Sequence, residues 1–133
     1  MDTIELLKQK ILYKRIKGMT EDKLILEDGT EVYFECTDWD CCASAWDCCA
    51  SASGFWKSAN LDAVITDVKM VDVELADFEG FGHPFNTAKI VLYHNQNSVA
   101  QADLYADAGN GGYYYSVLSV FVNEENIGDI LSA

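Results

Sequence analysis

The chain has 133 residues, half of them hydrophobic, which is enough for one compact domain over 1–133 and too few to expect two. Its 22 acids against 9 bases give a net charge of −13, a balance that repels nucleic acid and steers the molecule toward basic surfaces. No apolar run reaches membrane-spanning length and no basic-then-apolar leader opens the sequence, so a soluble cytosolic protein without membrane contact is expected.

The charge is uneven. Through Lys23 the six bases outnumber four acids, and beyond it three bases face eighteen acids. Thr3 to Lys8 reads as a short helix with Ile4 and Leu7 inward, and Ile11 to Met19 as either its continuation or a strand, the strand being favoured. Lys23 to Glu27 and Thr30 to Glu35 flank Asp28-Gly29, which predicts a hairpin with a tight type I′ turn. The acids of that hairpin fall between apolar positions. Cys36-Thr37-Asp38 is expected to leave the sheet, with Thr37 or Asp38 capping a helix from about Trp39 to Ala50 that ends at Ser51-Ala52-Ser53-Gly54.

That helix would hold a tandem repeat. Residues 39–52 read Trp-Asp-Cys-Cys-Ala-Ser-Ala twice, so four of the five cysteines lie within it and Cys36 just upstream. In a helix a seven-residue repeat stacks Cys41 under Cys48 and Cys42 under Cys49 with a drift of about 20°. The axial separation is then about 10 Å, whereas two thiolates on one tetrahedral zinc lie within roughly 4 Å. The two halves cannot share one ion by stacking, and Cys48 and Cys49 read as lengthening a buried helix.

Beyond the repeat, Ala63 to Phe78 reads as a long strand whose phase changes around Lys69 to Val71, as a bulge would produce. Glu79 to Pro84 is a loop. Thr87 to His94 and Ser98 to Ala106 form a second hairpin about Asn95-Gln96-Asn97. Gly109-Asn110-Gly111-Gly112 is a turn, Tyr113 to Val122 a final strand, and Asn123-Glu124-Glu125 the opening of a short terminal helix. The predicted class is α+β: mostly antiparallel sheet, a Cys-rich helix packed on one face, and short terminal helices.

Five cysteines in a reducing compartment either ligate a metal or are buried, since an odd count excludes a fully paired disulfide framework. Cys36, Cys41 and Cys42 fall at the expected strand-to-helix junction, where a helix amino terminus favours thiolate. With His83 from the Gly-rich loop they make a candidate structural zinc site; His94, Asp38 and Asp40 are alternative ligands. No zinc-hydrolase or deaminase pattern is present, no signature marks a nucleophilic cysteine, and Gly109 to Gly112 lacks the lysine of a phosphate-binding loop. An enzyme is therefore not expected. Asp72, Glu74, Asp77 and Glu79 recur along one strand and loop and are the candidate partner-binding face. Trp39, Trp46, Trp56 and Tyr113 to Tyr115 serve either the core or an interaction surface.

Leu26-Glu27-Asp28-Gly29-Thr30, Asp40-Cys41-Cys42 with Trp46 following, and Asn110-Gly111-Gly112-Tyr113-Tyr114 together resemble a family of small phage and prophage proteins. That family carries D-G-T, D-C-C and N-G-Y-Y motifs and has no general assigned activity. The resemblance spans about Ile4 to Val122, with two departures: the D-C-C segment recurs at 47–49, and an extra glycine splits the late motif. Small acidic phage-type proteins resemble inhibitors of host defence, including anti-CRISPR proteins. The resemblance implies action in the host bacterial cytosol on an RNA-guided CRISPR nuclease, or another basic nucleic-acid enzyme, by blocking target-DNA loading into a positively charged channel. The alternative is a non-enzymatic phage structural or interaction domain with buried cysteines and no metal.

Overall fold

The computed structural model describes residues 2–39, 52–75, 85–107 and 116–132. Among them one helix, α1 (Thr3–Ile11), precedes nine strands: β1 (Ile16–Met19), β2 (Leu24–Leu26), β3 (Glu31–Trp39), β4 (Ala52–Ala59), β5 (Asp67–Leu75), β6 (Phe85–His94), β7 (Asn97–Asp107), β8 (Ser116–Val122) and β9 (Glu125–Ser132). The strands form two antiparallel sheets, β1-β2-β3-β8-β9 and β4-β7-β6-β5. The architecture is essentially all-β, which overturns the α+β expectation.

The corrections have identifiable causes. Cys36, Thr37 and Asp38 do not leave the sheet. β3 stays paired with β8 as far as Trp39 opposite Ser116, absorbing one irregularity between Cys36 and Asp38. Ala52, Ser53 and Gly54, expected to close a helix, begin β4 and pair with Ala106, Tyr105 and Leu104. The rest of the expected Cys-rich helix lies outside the described residues. At the carboxyl end Asn123 and Glu124 take φ of 50° and 71°, incompatible with the extended backbone of a helix N-cap, and they turn β8 into β9. The buried Ile127, Ile130 and Leu131 have a helical spacing, yet it is two register shifts in the β8–β9 ladder that put them on the inner face.

Other expectations hold with adjusted limits. α1 extends to Ile11, its start capped by the Asp2 carboxylate, which accepts from the Ile4 amide at 3.4 Å. The β2–β3 hairpin forms, but not with a type I′ turn: Gly29 alone takes positive φ (90°), within a three-residue loop in which the Leu26 amide donates to the Thr30 carbonyl. Lys14 ties this loop down, its ammonium 2.7 Å from Asp28 and 3.0 Å from the Thr30 hydroxyl. β6 and β7 meet at a two-residue turn, Asn95-Gln96. The β5 bulge falls between Val71 and Glu74, slightly later than predicted, with Asp72 at φ 50°.

One core joins the two sheets. Leu24, Leu26, Val32, Leu118 and Val120 of the first sheet and Ile90, Leu92, Ala102 and Leu104 of the second are at most 2 % exposed. Gly54 lets the sheets approach closely: a Cβ there would stand 2.9 Å from Phe34 and from Leu104. Trp56 of β4 reaches across, packs on Phe34 with ring centroids 5.6 Å apart, and donates its indole N–H to the Val32 carbonyl at 2.9 Å. α1 lies against β5 and β9, the edge strands of the two sheets. It buries Leu7 and Ile11 fully, pairs Lys8 with Asp67 at 3.0 Å, and donates the Thr3 hydroxyl to the Asp129 carbonyl. No helix among the described residues is long and apolar enough to cross a membrane.

Candidate functional site

Three places on this scaffold bring chemistry-bearing side chains together. The first is the mouth between the sheets at the far end of β3. Cys36 follows Val32 and Phe34 on the inward side of the strand, and its thiol lies 3.6 Å from the Asp38 carbonyl. A groove of about 380 Å³ opens there, bounded by Lys23, Tyr33, Glu35, Cys36, Ser53 and Phe55. Because Cys36 sits within a strand, the helix-terminus argument for its thiolate does not apply to it. Cys41, Cys42 and His83, its expected co-ligands, lie outside the described residues, as do Asp40, Cys48 and Cys49. Among the described residues no group of three or more His, Cys, Asp or Glu side chains could hold a metal ion. His94 serves the β6–β7 hairpin, with its Nδ1 2.9 Å from the Val64 carbonyl.

The second place is the solvent face of the four-stranded sheet. Alternation sends Phe55 and Lys57 of β4, Asp103 and Tyr105 of β7, and Thr87 and Lys89 of β6 outward, and the bulge sends Asp72 and Glu74 of β5 to the same side. They line an open groove of about 450 Å³. Registration interleaves the charges: Asp103 stands opposite both Phe55 and Lys89, Lys57 lies 4.0 Å from Asp103, and Lys89 lies 3.8 Å from Asp72. The expected acidic face thus contributes Asp72 and Glu74 to a nearly balanced surface, three carboxylates against two ammonium groups. Asp77 and Glu79 lie outside the described residues. At one end Phe85 stacks on Tyr105 with centroids 5.4 Å apart. The Tyr105 hydroxyl, 3.1 Å from the Asp107 carboxylate, is pushed up to about 12 by burial first, then by that hydrogen bond and the Asp107 charge.

The third place was not singled out in the sequence. On the outer face of the five-stranded sheet Tyr33 of β3 stands opposite Phe121 of β8, and the two rings stack 5.3 Å apart at 13°. Lys23 bonds Glu31 at 2.8 Å and holds its ammonium 5.4 Å from the Tyr33 ring centre. Burial, then Glu35 and Glu124, push the Tyr33 hydroxyl above its ordinary value, against an opposing pull from Lys23. The β8–β9 turn is fixed beside this pair because the Asn123 amide donates to the Glu31 carbonyl at 3.0 Å, and the Asn123 side chain accepts from the Glu31 amide at 2.9 Å. One row further on, Ser119 opposite Glu35 is fully buried, donates to the Asp129 carboxylate at 3.0 Å, and is hydrogen-bonded to Thr37. The available signal was the Glu31-x-Tyr33-x-Glu35 alternation, which put two acids and a ring on one face.

A protein-family model matches residues 9–121, most of the chain. The chain belongs to the DUF7448 family. That family is described as a domain of unknown function, and the matched span of this DUF7448 domain runs from the last turn of α1 to Phe121 of β8. No curated protein and no solved structure matches it.

Proposed function

We propose that this DUF7448 domain is a non-enzymatic binding module for a positively charged protein surface. One observation carries the reading. All nine bases lie among the described residues, and seven of them (Lys8, Lys10, Lys14, Arg15, Lys23, Lys57 and Lys89) stand within 4.0 Å of a carboxylate of the same chain. Most cations are thereby engaged internally, and the −13 surplus forms the field that an approaching molecule meets. Such a field accelerates and orients encounter with basic partners and rejects nucleic acid.

The narrower form of the proposal is inhibition of a host nucleic-acid enzyme, an RNA-guided nuclease first among them, by occupying the basic channel that loads target DNA. It draws on the net charge and on the motif resemblance. The test is a DNA-binding and cleavage titration of purified type II effectors with this protein. Stoichiometric loss of DNA loading that weakens as salt rises is the expected result; unchanged DNA binding in molar excess of the protein at low salt refutes it. A structural zinc on Cys36, Cys41, Cys42 and His83 belongs to the same proposal and has its own check. One zinc per chain by elemental analysis, lost on Cys41→Ser, supports it, and metal-free protein with unchanged melting after Cys-to-Ser changes excludes it.

The second reading, a non-enzymatic structural or interaction domain with buried cysteines and no metal, draws on Cys36, which is part-buried. It lies on the inner side of a strand and its thiol is within reach of a neighbouring carbonyl.

A further inference from the structure

Charge complementarity distinguishes the two sheet faces. The groove on the four-stranded sheet carries two ammonium groups among three carboxylates, and its lysines point at its acids. Around Tyr33 and Phe121 the balance is different: Glu31, Glu35, Glu124 and Asp129 surround or adjoin the stacked rings, and Lys23 is the one cation bonded among them. Lys23 also shows what the surface accepts, since its ammonium is seated over the Tyr33 ring while bonded to a carboxylate. A stacked aromatic pair beside carboxylates suits a guanidinium better than an ammonium, because the planar group stacks on a ring while its edge N–H groups reach acids.

We propose that the outer face of the five-stranded sheet, centred on Tyr33 and Phe121, is the docking surface for an arginine-bearing segment of the partner. One arginine stacks on the paired rings and donates to Glu35 and Glu124, and Lys23 sets the side of the ring from which it enters. This assignment rests on the cationic-partner reading above and locates it on a face other than that of Asp72 and Glu74. Asn123 acts as a positioning residue: its two bonds to the Glu31 backbone hold the turn that presents Glu124.

The test uses the full chain with fluorescently labelled nona-arginine and nona-lysine peptides at low salt. The arginine peptide should bind about two- to fivefold more tightly than the lysine peptide, the range of an exposed cation–π contact. Tyr33→Leu should remove that preference and Tyr33→Phe should keep it. The double variant Glu35→Lys, Glu124→Lys should weaken arginine-peptide binding by about tenfold or more, and Asp72→Lys, Glu74→Lys by about twofold or less. Equal weakening by the two double variants, or an arginine preference that survives Tyr33→Leu, overturns the assignment and leaves the cationic-partner reading standing. If the unaltered chain binds neither peptide, both fall. Should Tyr33→Leu fail to fold, the two charge-reversal variants at exposed positions decide the matter alone.

Discussion

Replacing Glu124 with glycine should stabilise the protein while weakening the surface it serves. Asn123 and Glu124 connect Val122 to Glu125, paired across the two strands, and both have positive φ, 50° and 71°; a two-residue hairpin loop with both φ positive is a type I′ turn. Asparagine tolerates that conformation, but glutamate carries a Cβ into the left-handed region at a cost of roughly 1–2 kcal/mol. Glycine removes this cost but gives the unfolded chain additional freedom, offsetting about 0.4–1 kcal/mol. The net expectation for Glu124→Gly is about 1 kcal/mol of added stability, or roughly 3–5 °C in Tm for a chain of this size. Urea and thermal unfolding measure it, with an unchanged urea slope showing that stability has changed without a change in the surface exposed on unfolding. Binding of an arginine peptide should fall by about two- to threefold, the contribution of one rim carboxylate. A strained residue at the proposed docking surface fits the general pattern in which function is kept at the expense of stability. Destabilisation by Glu124→Gly, or a gain in stability with arginine binding unchanged, would refute the reasoning.

Three further outcomes follow from the packing and the titrating groups. Gly54→Ala puts a methyl group 2.9 Å from Phe34 and Leu104, both in the core, and should cost about 1–3 kcal/mol in chemical denaturation. The Lys14 ammonium beside Asp28 holds that carboxyl well below the usual carboxylate range, and Lys8 likewise lowers Asp67. Because both folded values are depressed, their contribution is present above the unfolded value near 4 and is lost as pH falls through the folded values. The drop in Tm between neutral pH and pH about 2 should therefore be shallower in Asp28→Asn, and shallower still when salt screens these partly exposed pairs. Tyr105 should ionise at about 12 in an ultraviolet titration, a step absent from Tyr105→Phe. Its folded value is raised, so its contribution is full below the unfolded value near 10 and disappears as pH rises through about 12.

Where turn chemistry is local, the strands could be read directly. Asp28-Gly29 and Asn95-Gln96 fixed two hairpins, and the change of phase in β5 announced its bulge within a few residues. The errors arose where local composition and tertiary pairing disagree. Alanine, serine and cysteine after Cys36 suggested a helix, but the inner-face sequence Val32-x-Phe34-x-Cys36 and the ladder to β8 carry β3 through Trp39. Asn123-Glu124-Glu125 suggested the opening of another helix, but positive φ at Asn123 and Glu124 turns β8 into β9, where shifted register buries Ile127, Ile130 and Leu131. Nothing short of the fold could have paired Tyr33 with Phe121, since the contact is created by β8 returning along β3 after two intervening segments and a second sheet.

The same nonlocality explains why Asp72, read from the sequence as part of an acidic face, stands beside a lysine. Along the sequence Asp72, Glu74, Asp77 and Glu79 form an acidic run, whereas the fold sets Lys89 beside Asp72, and Lys57 and Lys89 next to Asp103. Those cations come from β4 and β6, and only strand register brings them to β5 and β7. In the other sheet the acids of β3 and of the β8–β9 turn converge, with Lys23 as the cation bonded among them. On the proposed reading, net charge sets how strongly the molecule attracts a basic partner, and sheet register sets which face receives it. A uniform acidic coat would predict that charge reversals weaken a cationic ligand equally wherever they are made. The arrangement here predicts a strong dependence on position, greatest at Glu35 and Glu124, and that inequality separates a built docking face from acidity that provides solubility alone.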